Sequence, residues 1–138
     1  MIACLDSSVA VRLAFGVADR LREWRKVKRI VVSALVEVEC FRVLDQERLR
    51  HGLSDGKIAA ISENIRALID RAEVVELGAA VLERAKQPFP TQLATLDALH
   101  VSTALLWKQW REPTLVFATH DHQQGAGARA VGLQVIGV

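Results

Sequence analysis

The chain has 138 residues, of which 51% are hydrophobic and 25% charged, values that suit one globular domain over residues 1–138 and argue against disorder, a fibrous repeat or two separate cores. Lys and Arg total 18 against 16 Asp and Glu, a formal charge of +2, which permits a polyanionic partner without requiring one. Asp6 and Arg12 interrupt the N-terminal apolar run well short of the ~20 residues that span a bilayer, so neither a signal peptide nor a membrane helix is expected.

The apolar run Met1 to Leu5 predicts a first strand, and Ser7 or Ser8 then offers an N-cap for a helix through Val9 to Phe15. A second helix is expected over Val17 to Lys26. Arg20, Arg22, Arg25, Lys26, Lys28 and Arg29 cluster around Trp24 and form a basic patch able to attract phosphates; the plain alternative is a solvated helix face. Ile30 to Val32 is a β-branched run that stops at Ser33, another N-cap.

A helix follows from Ala34 to about Arg50, with Leu35, Val38, Val43 and Leu49 marking its apolar stripe and His51-Gly52 as its stop. Ser54 caps the next helix, which runs to about Arg71. Glu73 to Leu77 predicts a third strand, and the helix from Ala79 to Lys86 is ended by Pro88 and Pro90. A long helix over Thr95 to Trp110, bounded by Pro113, precedes a β-branched strand from Thr114 to Ala118. A short helix near Ala126 to Val131 and a strand from Leu133 to Ile136 close the chain.

Strands in continuous apolar runs, separated by helices, imply an α/β fold whose parallel sheet is covered on both faces. Ligands of such sheets sit beyond the carboxyl ends of the strands, where strand order reverses. Asp6 follows the first strand and Asp121 lies three residues past the core of the fourth. Glu39 is less than two turns into the helix after the second strand, and Asp97 sits in the first turn of the long helix.

Each acid also has an ordinary reading: turn or cap chemistry for Asp6 and Asp121, the helix dipole for Asp97, and an i,i+3 pair with Arg42 for Glu39. Glu37 differs in helical direction from Glu39 by about 200°, so at most one of the two can face a crevice. Acids converging there would repel one another unless neutralised, and hard oxygen ligands select Mg²⁺ or Mn²⁺. Such a site suits phosphodiester hydrolysis. Cys4 and Cys40 lie in apolar surroundings without metal-type spacing, so buried free thiols are expected, in keeping with a reducing cytoplasm.

Four fragments carry a resemblance: Leu5-Asp6-Ser7-Ser8; Ser33-Ala34-Leu35 leading to Glu39 and Arg42; Thr95-Leu96-Asp97-Ala98-Leu99-His100; and Thr119-His120-Asp121. In this order, and spanning essentially the whole chain, they resemble the PIN-domain ribonucleases, and among them the toxins of VapBC-type toxin–antitoxin modules. The resemblance implies a three-layer α/β/α fold with a five-stranded parallel sheet in the order 3-2-1-4-5. It also implies an endoribonuclease with Asp6, Glu39, Asp97 and Asp121 as catalytic acids, Asp6, Asp97 and Asp121 holding Mg²⁺ or Mn²⁺. Ser8 and Thr119 would support those carboxylates, with Arg42 orienting Glu39 or contacting a phosphate.

The resemblance also implies a cognate antitoxin and a homodimer as partners; of its RNA substrate, single-stranded or loop regions are favoured because their bases and backbone can be splayed into a cleft, and the charge of the basic patch makes Arg20, Arg22, Arg25 and Lys26 candidate RNA contacts. The chain departs from the pattern after Asp121, where His122-Gln123-Gln124-Gly125 stands in place of the basic residues of many relatives; Gly125 and Gly127 are expected to weaken the short helix. His100 reads as a satisfied, partly buried histidine rather than a ligand, and Trp107 and Trp110 as core or interface anchors.

Phosphotransferases with an aspartyl nucleophile are disfavoured, because the dehalogenase-like kind needs a second Asp where Ser8 stands. A receiver domain would need paired acids that Met1 to Leu5 does not supply. The non-enzyme alternative is a PIN-fold module that binds RNA or an antitoxin-like protein without turnover.

Overall fold

The computed structural model describes residues 1–18 and 20–138. Its strands are β1 (Ile2–Leu5), β2 (Arg29–Ser33), β3 (Ala72–Val75), β4 (Val116–Ala118) and β5 (Gln134–Ile136). The helices are α1 (Ser7–Phe15), α2 (Leu35–His51), α3 (Asp55–Asp70), α4 (Ala79–Lys86), α5 (Thr95–Trp110) and α6 (His122–Ala130). The strands form one parallel sheet in the order β3-β2-β1-β4-β5, the order that the resemblance implies.

Side chains alternate across a strand, and that alternation divides the core into two layers. Ala3, Leu5, Ile30, Val32, Val116 and Ala118 face α1, α2 and α3, packing on Val9, Val36, Cys40, Leu44 and Ile65. Ile2, Cys4, Val31 and Phe117 face the other way, against Val101 and Ala104 of α5 and Ala128 of α6. Among the described residues no helix is long and apolar enough to cross a membrane.

The register sets the position of the polar residues. Leu5 pairs with Val32 on one side and Ala118 on the other, and the Asp6 amide donates to the Ala118 carbonyl at 2.9 Å. The chain therefore leaves β1 and β4 at the same end of the sheet, at the point where the connections diverge.

Three expectations are revised. The helix over Val17 to Lys26 does not form: Asp19 lies outside the described residues, and the rest is helical only as a 3₁₀ turn, Arg22–Lys26. Gly16, at φ 67°, ends α1 in the left-handed region that a side chain disfavours. Beyond it, the amide of Trp24 donates to Leu21 at 3.1 Å and that of Val27 to Trp24 at 3.0 Å. This spacing of three brings Leu21, Trp24 and Val27 together onto the core, which a 3.6-residue repeat would not do.

The stripe assigned to α2 is also rotated: Val36, Cys40 and Leu44 are buried, whereas Val38 and Leu49 are 58% and 68% exposed. The apolar residues of this helix fall on more than one face, so the sequence pattern did not select the buried one. Finally, α6 starts at His122, earlier than the expected Ala126. Its glycines are packing sites: a Cβ on Gly125 would lie 2.6 Å from Val138 and one on Gly127 2.7 Å from Leu93. Lower helix propensity is accepted there in exchange for close approach.

Candidate functional site

The first acid, Asp6, is both the residue after β1 and the N-cap of α1. It is 4% exposed. Its Oδ2 accepts from the Ser8 amide at 3.0 Å, and its Oδ1 accepts from Gln124 Nε2 at 3.0 Å. Asp121 caps α6 in the same manner, accepting from the Gln124 amide at 2.8 Å. The ordinary cap readings of both residues therefore hold locally, yet the caps stand side by side because β1 and β4 are neighbours.

In the first turn of α5, Asp97 accepts from the second Gln124 amide proton at 3.3 Å. Burial first, then the charges of Asp6 and Asp121, lift its carboxyl above the usual carboxylate range. Asp6, Asp97 and Asp121 line one pocket of about 390 Å³, with Ser7, Ser8, Val11, Arg12 and Val43.

Glu39 does not line that pocket and joins the cluster through a histidine. Its Oε2 lies 2.6 Å from Nε2 of His100, which is also 3.8 Å from Asp6 Oδ1. Burial opposes a charge on His100, but the Glu39 hydrogen bond and the charges of Asp6, Glu39 and Asp97 outweigh it and raise its pKa. His100 is 2% exposed, and its Nδ1 has no partner among the described residues. It is buried, more fully than the sequence suggested, but with Nδ1 unpartnered it is not the satisfied histidine expected, and it stands among the acids.

Behind the carboxylates runs a network of hydroxyl and amide groups. Thr119 Oγ1 accepts from the Asp121 amide at 3.0 Å and donates to Gln124 Oε1 at 2.7 Å, lying 3.4 Å from Asp6 Oδ2. Ser8 Oγ accepts from the His120 amide at 3.0 Å and is 3.4 Å from Thr119 Oγ1. Gln124 is the member that sequence reasoning missed. The available signal was Asp121-x-x-Gln124, a capping-box spacing. Here the Gln124 side chain does not return to the Asp121 amide, which Thr119 already satisfies, and turns inward instead.

Other assignments change with the geometry. Arg42 pairs with Asp45 at 3.2 Å, with Arg48 on the same carboxylate, so the expected link from Arg42 to Glu39 is replaced by a surface ion pair. The basic patch is divided: Arg20 and Arg22 line a polar pocket of about 480 Å³ with Arg12, Glu23, His120 and His122. Arg25 and Lys26 are exposed on the 3₁₀ turn and do not line it, and Arg29 pairs with Glu73 at 2.7 Å. Cys4 and Cys40 are free and buried. Burial, with the nearby Glu39, Asp6 and Glu37, pushes Cys40 up to about 12. Trp107 packs on the second core layer, whereas Trp110 is 58% exposed.

Among the described residues, no three Asp, Glu, His or Cys side chains are arranged as a ready-made metal-binding set. The donor chemistry nevertheless fits a hard divalent ion: three carboxylates line one pocket, and burial, then the charges of Asp6 and Asp121, raise the Asp97 carboxyl.

With the five parallel strands in the order β3-β2-β1-β4-β5, the model of the PIN-domain family matches residues 3–122. The chain belongs to the PIN-domain family. It is similar to ribonuclease VapC47 of Mycobacterium tuberculosis (strain CDC 1551 / Oshkosh), with 30% identity over 135 residues, covering 93% of this chain and 90% of that protein.

Two solved structures share the fold. The crystal structure of VapBC2 from Rickettsia felis bound to a DNA fragment from their promoter matches with a TM-score of 0.64 at 15% identity, over 98% of this chain and 97% of the other. PAE2754 from Pyrobaculum aerophilum matches with a TM-score of 0.60 at 18% identity, over 98% and 83%.

Proposed function

We propose that residues 1–138 act as one PIN domain with Mg²⁺- or Mn²⁺-dependent endoribonuclease activity, as the toxin of a VapBC-type toxin–antitoxin pair. The observation that carries this reading is that Asp6, Asp97 and Asp121, from three separate segments, line one pocket. The name of the VapC47 relative supports a ribonuclease.

In this reading Asp6, Asp97 and Asp121 hold the cation, and Asp6 is fixed for that task by the Ser8 amide and by Gln124. When bound, the cation polarises the phosphodiester and lowers the pKa of water. Glu39 is the remaining catalytic acid. His100 Nε2 shares a hydrogen with Glu39 Oε2, fixing that oxygen and leaving Oε1 to accept a proton or orient water. Ser8 and Thr119 hold the rotamers of the acids.

Arg20 and Arg22 supply the RNA contacts nearest the acids, and their pocket shares Arg12 with the acidic one. Unpaired RNA fits best, because its backbone can follow a bent path over both pockets. An antitoxin and a second copy of the chain are the protein partners. Exposed Val38, Leu49 and Trp110, and an apolar groove of about 640 Å³ lined by Leu82, Phe89, Leu93 and Leu99, offer surfaces for them. The VapBC2 neighbour is itself described as a complex on DNA. A cytoplasmic setting agrees with two buried free thiols.

The test is cleavage of loop-containing RNA by the purified chain with Mn²⁺ or Mg²⁺, with chelator, and after Asp6→Asn or Asp97→Asn. Loss of cleavage with chelator and in both variants is expected. Cleavage that continues at the parental rate in either variant would overturn the catalytic assignment, and RNA binding without turnover under all conditions would favour the non-enzymatic module.

A further inference from the structure

A glutamine with no exposed surface is costly to bury unless every polar group finds a partner. Gln124 meets that requirement, at 0% exposure. Its Oε1 accepts from Thr119 at 2.7 Å, and its two amide protons go to different carboxylates, Asp6 Oδ1 at 3.0 Å and Asp97 Oδ1 at 3.3 Å. Its backbone amide meets Asp121 Oδ1 at 2.8 Å. One residue thus touches all three acids that line the pocket, although Gln124 itself does not line it.

The orientation of the amide follows from its neighbours. The Thr119 hydroxyl already accepts from the Asp121 amide, so its own proton is free for Gln124 Oε1. A flipped amide would set Oε1 against two carboxylate oxygens and leave Nε2 facing the Thr119 proton. Only one orientation satisfies every partner.

We infer that Gln124 is the positioning residue for divalent-cation binding, drawing Asp6 and Asp97 together from behind the pocket that both line. This rests on the cation reading above. A neutral amide suits the role for a specific reason. Lys or Arg at this position would supply donors but also a positive charge that competes with the ion, and Glu would supply no donors and add repulsion. An apolar side chain would fill the volume and leave two acids unconnected.

The experiment is calorimetric titration of Mn²⁺ into the purified full-length chain, comparing the parent with Gln124→Met, which fills similar volume without the amide. Gln124→Asn, which withdraws the amide by one methylene, serves if the Met variant fails to fold. Mn²⁺ binding about 10-fold weaker or more is expected in the folded variant, the size of effect that supporting groups around metal ligands produce. A Kd within twofold of the parent, whatever the loss in thermal stability, would reduce Gln124 to a packing residue and overturn the inference. No Mn²⁺ binding by the parent would defeat the cation reading, and this inference with it. Because binding is read without catalysis, the two failures are distinguishable.

Discussion

Replacing Thr119 by Val would remove one hydroxyl from the centre of the polar network while keeping shape and volume close to the original. Thr119 is 0% exposed, so water cannot take over its bonds. Two groups would be orphaned: Gln124 Oε1, wholly buried, and the Asp121 amide, partly buried. Each unsatisfied buried group costs ~1–3 kcal/mol, and allowing for the partial exposure of the second, the loss is about 2–4 kcal/mol. For a chain of this size a drop in Tm on the order of 6–15 °C follows.

The assay is urea and thermal unfolding of the parent, Thr119→Val and Thr119→Ser, all in chelator. The Ser variant keeps the hydroxyl and loses a methyl, which costs about 1 kcal/mol. A Val variant within 0.5 kcal/mol of the parent, or a Ser variant as unstable as the Val one, would refute the reasoning, because stability would then follow the methyl group and not the hydrogen bonds.

Two further outcomes can be measured on the same protein. The Asp97 carboxyl is raised in the folded chain by burial and then by the charges of Asp6 and Asp121, so its contribution to stability is fully present below the ordinary carboxylate range and is lost as pH rises through the raised value; Asp97→Asn should therefore melt higher than the parent in metal-free buffer at pH 7, and differential scanning fluorimetry that finds it lower would contradict a destabilising charge at this position. Charge reversal of Arg20 and Arg22 should weaken RNA binding and flatten its salt dependence more than reversal of Arg25 and Lys26, since only the first pair lines the pocket beside the acids; salt slopes unchanged from the parent in both variants would assign all four to solvent.

The sheet was legible in the sequence because buried parallel strands are short apolar runs that need no partner pattern to be read. Ile30 to Val32 and Val116 to Ala118 are such runs, and Asp6 and Asp121 could be placed from them. Order within the sheet came from the resemblance, since strand adjacency is a long-range property. The α2 stripe was misread because Val38 and Leu49 are as apolar as Val36 and Leu44, and only the sheet beneath decides which face is covered. The helix over Val17 to Lys26 failed for a similar reason: tertiary anchoring of Leu21 and Trp24 overrode local helix preference.

Within the site, the acids were visible as residues at strand and helix ends and Ser8 and Thr119 through the resemblance, but the links that Gln124 and His100 make between the acids were not. Gln124 and His100 are polar residues on buried faces, where periodicity arguments expect apolar ones. Arg42 illustrates the opposite case, in which a plausible i,i+3 partner at Glu39 lost to Asp45 at the same spacing on the other side. Sequence distance alone cannot choose between two acids three residues away.

The most direct measurement of the central claim is manganese anomalous scattering from crystals of the chain grown with Mn²⁺. A peak within about 2–2.6 Å of carboxylate oxygens of Asp6 and Asp97, with Asp121 bonded directly or through water, is the result expected for a hard divalent ion in an oxygen site. Manganese density confined to other parts of the surface, with the pocket between these three acids lacking a peak, would contradict it.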